Sequence, residues 1–258
     1  MAERSALRAL SLLALGATMI VSPLLFNGAF GWSVVVITTL ALLALTLAIV
    51  STRASRGEST LAIAIVSAFV LTALQALPLP IEWMRTLAPD AYEATTRAAF
   101  ALGVDTPAFV PFSLDPGGTR ERTLAALAIA AAFLAGSLIG RTSRTAVLRI
   151  AALSVLVVLV ISLAHLATGT WSIYGVYELR YTATRVPSPM MNPNHLGGFC
   201  AFGAVLALGL AAGSEGPRGR AAFFLLSLAA SALVFVSSSR GAIASLVVGT
   251  CGFAAALA

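Results

Sequence analysis

N-P-N-H-L-G-G-F-C-A-F-G-A-V-L-A-L-G-L-A-A-G occupies Asn192–Gly213. After Asn192 it holds no Asp, Glu, Lys or Arg. An apolar run of about 20 residues is what an α-helix needs to cross the hydrocarbon core of a bilayer. The run also starts by local helix rules. Asn192 suits the cap position, where a side-chain oxygen accepts from a first-turn N–H, and Pro193 suits the first helical position. The stretch therefore reads as a membrane-spanning helix with a sharply defined start.

The rest of the chain repeats this pattern. Of 258 residues, 59% are hydrophobic and only 10% charged, and the mean hydropathy is +0.96. A soluble domain carries about 25% charged residues, so this surface cannot all face water. The expected class is all-α, a polytopic transmembrane helical bundle forming one membrane domain over residues 1–258. Apolar runs place eight spans: Leu7–Phe26, Phe30–Val50, Thr60–Leu77, Thr123–Gly140, Leu148–Thr168, Pro193–Gly213, Ala221–Val236 and Gly241–Ala258. The first is not read as a signal peptide, because its apolar run is long and no A-x-A site follows.

Charge sets the expected orientation. All 16 basic residues are Arg. With the N-terminus in the cytoplasm, that side holds Arg4, Arg8, Arg53, Arg56, Arg141, Arg144, Arg149, Arg218 and Arg220 against Glu3, Glu58 and Glu215. The opposite side carries seven Arg and seven acids, so net positive charge faces the cytoplasm, as the positive-inside rule requires. Trp32, Trp83 and Trp171 all fall near the outer interface, where aromatic belts form. The pI near 10.3 does not point to nucleic acid, because the arginines are scattered through short inter-helix loops. Two long loops, 78–122 and 169–191, lie on the outer side, and Asp90–Leu102 within the first reads as an amphipathic helix on the membrane or as an ordinary surface helix or loop. Cys200 and Cys251 sit in apolar runs without metal-ligand spacing and read as small core residues.

Three outer helix starts carry unusual sequence. F-S-L-D-P-G-G-T (Phe112–Thr119) offers Asp115 as a cap and Pro116 at the first position; N-P-N-H-L-G-G offers Asn192 and Pro193; S-S-S-R-G-A (Ser237–Ala242) offers a serine cap beside Arg240. A helix start presents free N–H groups and the positive end of the dipole, so it suits an anion. Arg180, Arg185 and Arg240 lie on the same side, and a guanidinium grips phosphate oxygens two at a time. The candidate is a phosphate or pyrophosphate site built from Arg240, Arg180, Arg185, Asn192, Asn194, His195, Gly197 and Gly198. The alternatives are ordinary caps, close helix packing at the glycines and a snorkelling arginine. His165 and His195 flank the second long loop; either could serve as a base or simply close a helix end. Trp171, Tyr174, Tyr177 and Tyr181 could stack on sugar rings or anchor the interface. No P-loop, nucleophile elbow, HExxH or dinucleotide fingerprint occurs, so no cofactor and no metal is implied.

L-Q-A-L-P-L-P (Leu74–Pro80), F-S-L-D-P-G-G-T, Y-G-V-Y-E-L-R-Y (Tyr174–Tyr181), N-P-N-H-L-G-G and S-S-S-R-G-A occur in this order. Together they resemble the O-antigen ligase-like family of bacterial polytopic membrane proteins, from about Leu74 to the end. The resemblance implies a membrane-embedded glycosyltransferase of the bacterial inner membrane. Such enzymes take a glycan from undecaprenyl pyrophosphate at the periplasmic face and pass it to a lipid A–core sugar, a polysaccharide or a protein hydroxyl, without a metal. Arg240 matches the arginine of the family's S-R-G motif, which implies a role on the leaving pyrophosphate. The family also has a large periplasmic loop after these helices, with a further arginine and the histidine proposed as base. This chain ends at Ala258 before any such loop, and His165 and His195 do not match that histidine. The chain is thus expected to be the N-terminal portion of a longer enzyme, inactive alone. A transporter or flippase of lipid-linked glycans and a non-catalytic membrane fragment stand as alternatives. The spans hold no Asp or Glu, which argues against ion-coupled transport.

Overall fold

The computed structural model describes residues 2–52, 60–178 and 187–257. Its helices are α1 (Ala2–Leu24), α2 (Gly31–Ser51), α3 (Thr60–Gln75), α4 (Ile81–Leu87), α5 (Pro89–Leu102), α6 (Pro116–Thr168), α7 (Pro193–Ala212), α8 (Pro217–Val236) and α9 (Arg240–Leu257). A 3-10 turn, Phe26–Gly28, joins α1 to α2. Six of these helices, α1, α2, α6, α7, α8 and α9, are long and apolar enough to cross a membrane. The protein is a multi-pass, all-α membrane bundle. The sixteen residues of α3 rise only about 24 Å, short of a bilayer core of about 30 Å.

The expected fourth and fifth spans are the two helical halves of α6, 53 residues in all, joined at Ser143, which departs from helical geometry (φ −139°, ψ 36°). A straight helix of that length would reach about 80 Å. Its neighbours show that it folds back instead. A Cβ on Gly136 would touch Leu15 of α1, while Ile150 lies against the next α1 residue, Gly16. Straight helix would put residues 136 and 150 about 21 Å apart. Ala128 and Ala132 from one half, and Ala151 and Ser154 from the other, line a single cavity beside Thr18 and Met19. The halves are therefore antiparallel about a bend at Ser143. Arg-Thr-Ser-Arg, read from composition as a loop, keeps helical backbone on both sides because it contains no proline or glycine.

With this bend the remaining helices alternate in direction. Ser11 of α1 donates to the Ala44 carbonyl of α2, and Arg8 reaches the Ser51 carbonyl near the end of α2. Thr38 of α2 donates to Leu124 of α6, and Thr123 to Thr72 near the end of α3. One end of the bundle thus gathers the starts of α2, α6, α7 and α9 with the ends of α1, α3, α6 and α8. This is the capped end. The opposite end carries Arg8, Arg141, Arg144, Arg149, Arg218 and Arg220, as charge counting expects.

Packing relies on small residues. Ala41, Ala44, Ala48, Ala131 and Ala135 are buried where α1, α2 and the first half of α6 meet. A larger core joins the second half of α6 to α7, α8 and α9 around Val155, Leu196, Cys200, Ala204 and Val234. A Cβ on Gly203 would lie 2.5 Å from Val155 Cγ1, so only glycine lets α6 and α7 approach this closely. Without a hydrophobic drive between helices in lipid, such close contact is the main source of association. Cys200 is buried as expected, but Cys251 is exposed on α9, which leaves most of its surface outward.

At the capped end the first long loop forms a small module. Strands β1 (Pro78–Pro80) and β2 (Phe109–Pro111) pair antiparallel through Leu79 and Val110, over a core of Ile81, Met84 and Val110. Of the readings open for Asp90–Leu102 the structure shows a helix, α5, of which only Ala99 is buried. The loop ends at Asp115 rather than Arg122, because Asp115 and Pro116 start α6 earlier than its apolar run suggests. The second long loop holds the two-residue strands β3 (Ser172–Ile173) and β4 (Tyr177–Glu178).

Candidate functional site

Five non-glycine residues among those described have left-handed backbone: Phe26, Asn27, Tyr174, Met191 and Ser238. All five lie at the capped end, in the connections around the starts of α7 and α9. Such conformations persist only where surrounding structure holds them, and they concentrate at functional sites.

The start of α7 is capped as the sequence indicates. Asn192 Oδ1 accepts the Asn194 N–H at 2.8 Å, and Pro193 has no N–H to leave unpaired. The Leu196 N–H closes on the Asn192 carbonyl at 3.0 Å. Only the His195 N–H is then left among the first-turn donors. The His195 ring is exposed, and its Nδ1 accepts from the Asn27 amide at 3.2 Å, which leaves the proton on Nε2. Gly197 and Gly198 differ. Gly197 is buried, and a Cβ there would meet Ser237 Oγ at 2.6 Å and Ala242 Cβ at 2.7 Å. Gly198 is exposed, with nothing within 4 Å of such a Cβ. Gly197 thus serves close packing of α7 against the α8–α9 junction, while Gly198 leaves an open backbone surface.

That packing sets the start of α9 beside the start of α7. Ser239 is the cap: its Oγ accepts the Ala242 N–H at 3.3 Å and its carbonyl accepts Ile243 N–H at 3.0 Å. Buried Ser237 supports the turn by donating to the Val234 carbonyl at 2.7 Å and accepting from the Ser239 N–H. Between them, Ser238 is left-handed (φ 57°). The N–H groups of Arg240 and Gly241 have no partner among the described residues, and neither has the exposed Arg240 guanidinium. Two free N–H groups, the helix dipole and a fixed positive charge coincide here. Asp115 makes the α6 start different. Its carboxylate accepts the Gly118 N–H at 3.0 Å, so that start already carries a negative charge.

The two histidines have different duties. His165 is buried; its Nε2 accepts the Tyr174 N–H at 3.0 Å and its Nδ1 faces the Pro187 carbonyl at 3.1 Å. Both nitrogens are spent on backbone, so this ring closes the loop and has no lone pair for a substrate. Tyr174 donates its phenol to the Leu24 carbonyl at 2.7 Å, and burial pushes that phenol up to about 12. Tyr174 and Tyr177 also pack on Phe26, and Tyr177 on Phe30. These tyrosines therefore bind the loop to the α1–α2 connection. Arg180, Arg185 and Tyr181 lie outside the described residues.

Asn27 is the residue that sequence reading passed over. Its only local signal is the Asn-Gly pair at Asn27–Gly28, a turn marker that says nothing of His195, which is 168 positions away. Asn27 lines a cavity of about 280 Å³ between α1, α2, both halves of α6 and α7, walled also by Met19, Ile37, Ile129, Phe199 and Phe202. No family model, curated protein or solved structure matches this chain.

Proposed function

We propose that this chain is the membrane domain of a glycosyltransferase that draws a glycan from undecaprenyl pyrophosphate. In this reading the capped end is periplasmic, the N-terminus is cytoplasmic and the membrane is the bacterial inner membrane. The acceptor is a lipid A–core sugar, a polysaccharide or a protein hydroxyl. The observation that carries the reading is the start of α9, where an exposed Arg240 guanidinium and the N–H groups of Arg240 and Gly241 all lack a partner among the described residues. As the acceptor hydroxyl attacks the anomeric carbon, negative charge builds on the departing pyrophosphate. Arg240 and the helix start stabilise that charge, an effect that in other enzymes is worth several kcal/mol per fixed donor. The open surface at Gly198 and the Nε2–H of His195 lie on the adjoining helix start, where they can complete the oxyanion contacts. The ordered motifs, which resemble those of O-antigen ligase-like proteins, support the same assignment.

The test is glycan transfer from an undecaprenyl-pyrophosphate oligosaccharide by the protein reconstituted in lipid, from its complete coding sequence. Arg240→Ala should lower transfer at least tenfold while membrane insertion is unchanged, and Arg240→Lys should retain part of it. Transfer at the wild-type rate by Arg240→Ala would remove the assigned role. Movement of the intact lipid-linked glycan across the bilayer, without cleavage, would support a flippase instead.

A further inference from the structure

One buried imidazole ties three separate pieces of backbone. His165 is in the last turn of α6. Through Nε2 it holds the turn between β3 and β4, and through Nδ1 it holds Pro187, on the approach to α7. Because Nε2 accepts an N–H, the ring is neutral with its proton on Nδ1.

The β3–β4 turn needs such a hold. Tyr174 (φ 56°) and Gly175 (φ 73°) are consecutive left-handed residues closed by the Val176 N–H to the Ile173 carbonyl at 3.1 Å. Hairpin turns of this kind favour Asn-Gly, and a bulky first residue costs about 1–2 kcal/mol. Two residue pairs cannot sustain an isolated hairpin in water. On the other side, Pro187 leads into a turn in which the Met191 N–H reaches the Ser188 carbonyl at 2.9 Å, and Asn192 follows at once as the α7 cap. Release of the ring would therefore reach the helix start that carries His195.

Among the described residues no acidic group bonds to the ring, and the Tyr174 ring stands edge-on to it at 6.0 Å. Tyr174 places its phenol on Leu24, and His195 is bonded to Asn27. Tyr177 and Glu178, on β4, make no hydrogen bond to the ring, and no carboxylate among the described residues does. We propose that His165 is an acid-released staple: protonation turns Nε2 from an acceptor into a second donor facing the Tyr174 N–H, and the β3–β4 turn and the approach to α7 detach from the end of α6.

Hydrogen exchange on the whole reconstituted chain, compared between about pH 8 and pH 5, tests this. Rates are corrected for the intrinsic pH dependence of exchange. The Tyr174 amide should be protected at the upper end and lose at least tenfold of its protection at the lower. His165→Gln keeps an oxygen acceptor and cannot titrate, so its protection should not vary over the interval. Constant protection in the wild type, or the same pH dependence in His165→Gln, would overturn the proposal. If the variant fails to insert, the ¹⁵N shift of the wild-type His165 ring decides. It must move from acceptor to protonated nitrogen over the interval in which protection is lost, and a mismatch overturns the staple.

Discussion

Gly197 and Gly198 are neighbours on the first turn of α7 with opposite surroundings. Substituting alanine at Gly197 forces a Cβ to within 2.6 Å of Ser237 Oγ and 2.7 Å of Ala242 Cβ, so Gly197→Ala should destabilise the bundle by about 1–3 kcal/mol. Gly198→Ala meets nothing and should leave thermal stability in detergent unchanged. Equal loss of stability in both would refute the packing role of Gly197. Tyr174 offers a second local check. Its phenol, pushed up to about 12 by burial, is protonated in the folded state well above the ordinary tyrosine value of about 10. A raised pKa means that the hairpin is stable below the ordinary value and weakens as pH rises from there towards 12. Tyrosinate absorbance should show one late-titrating phenol that Tyr174→Phe removes; loss of only an ordinary, earlier step would contradict this.

Among the elements, the eight apolar runs were legible because a membrane leaves a helix little choice of composition. Each run corresponds to a helix or to one half of α6, with ends displaced where Asp115 and Pro116, or Gly216 and Pro217, set an earlier start. Local capping was legible for the same reason that it is local. Asn192, Asp115 and the serine before Arg240 each act within three residues. The helical bend at Ser143 was not legible, since Arg-Thr-Ser-Arg between two apolar runs has the composition of a loop. Nor was the Asn27–His195 bond, which depends on how the first and seventh helices meet. The bend can be measured directly. Spin labels at Arg120 and Thr168, both exposed, would stand about 72 Å apart on a straight helix. Folding at Ser143 predicts less than about 30 Å, two or three helix spacings. The longer distance would undo the helix order on which the capped end depends.

At the scale of the molecule, charge and strain are sorted to opposite ends. Arginines in excess of acids gather at one, and left-handed residues, uncapped N–H groups and Arg240 gather at the other. The sequence indicated three anion-ready helix starts. The folded chain leaves them unequal, with Asp115 occupying one and Asn192 and Pro193 consuming most donors of the second. The third, at Arg240, stays open. Equilibrium binding of undecaprenyl pyrophosphate to the reconstituted chain tests that distinction most directly. A charge-assisted bond of about 1.5–3 kcal/mol predicts that Arg240→Ala weakens binding about tenfold or more. Arg97→Ala, which removes only a surface pair with Glu93, should leave it unchanged. Undiminished binding by Arg240→Ala, or the same loss in both variants, would contradict a pyrophosphate site at the start of α9.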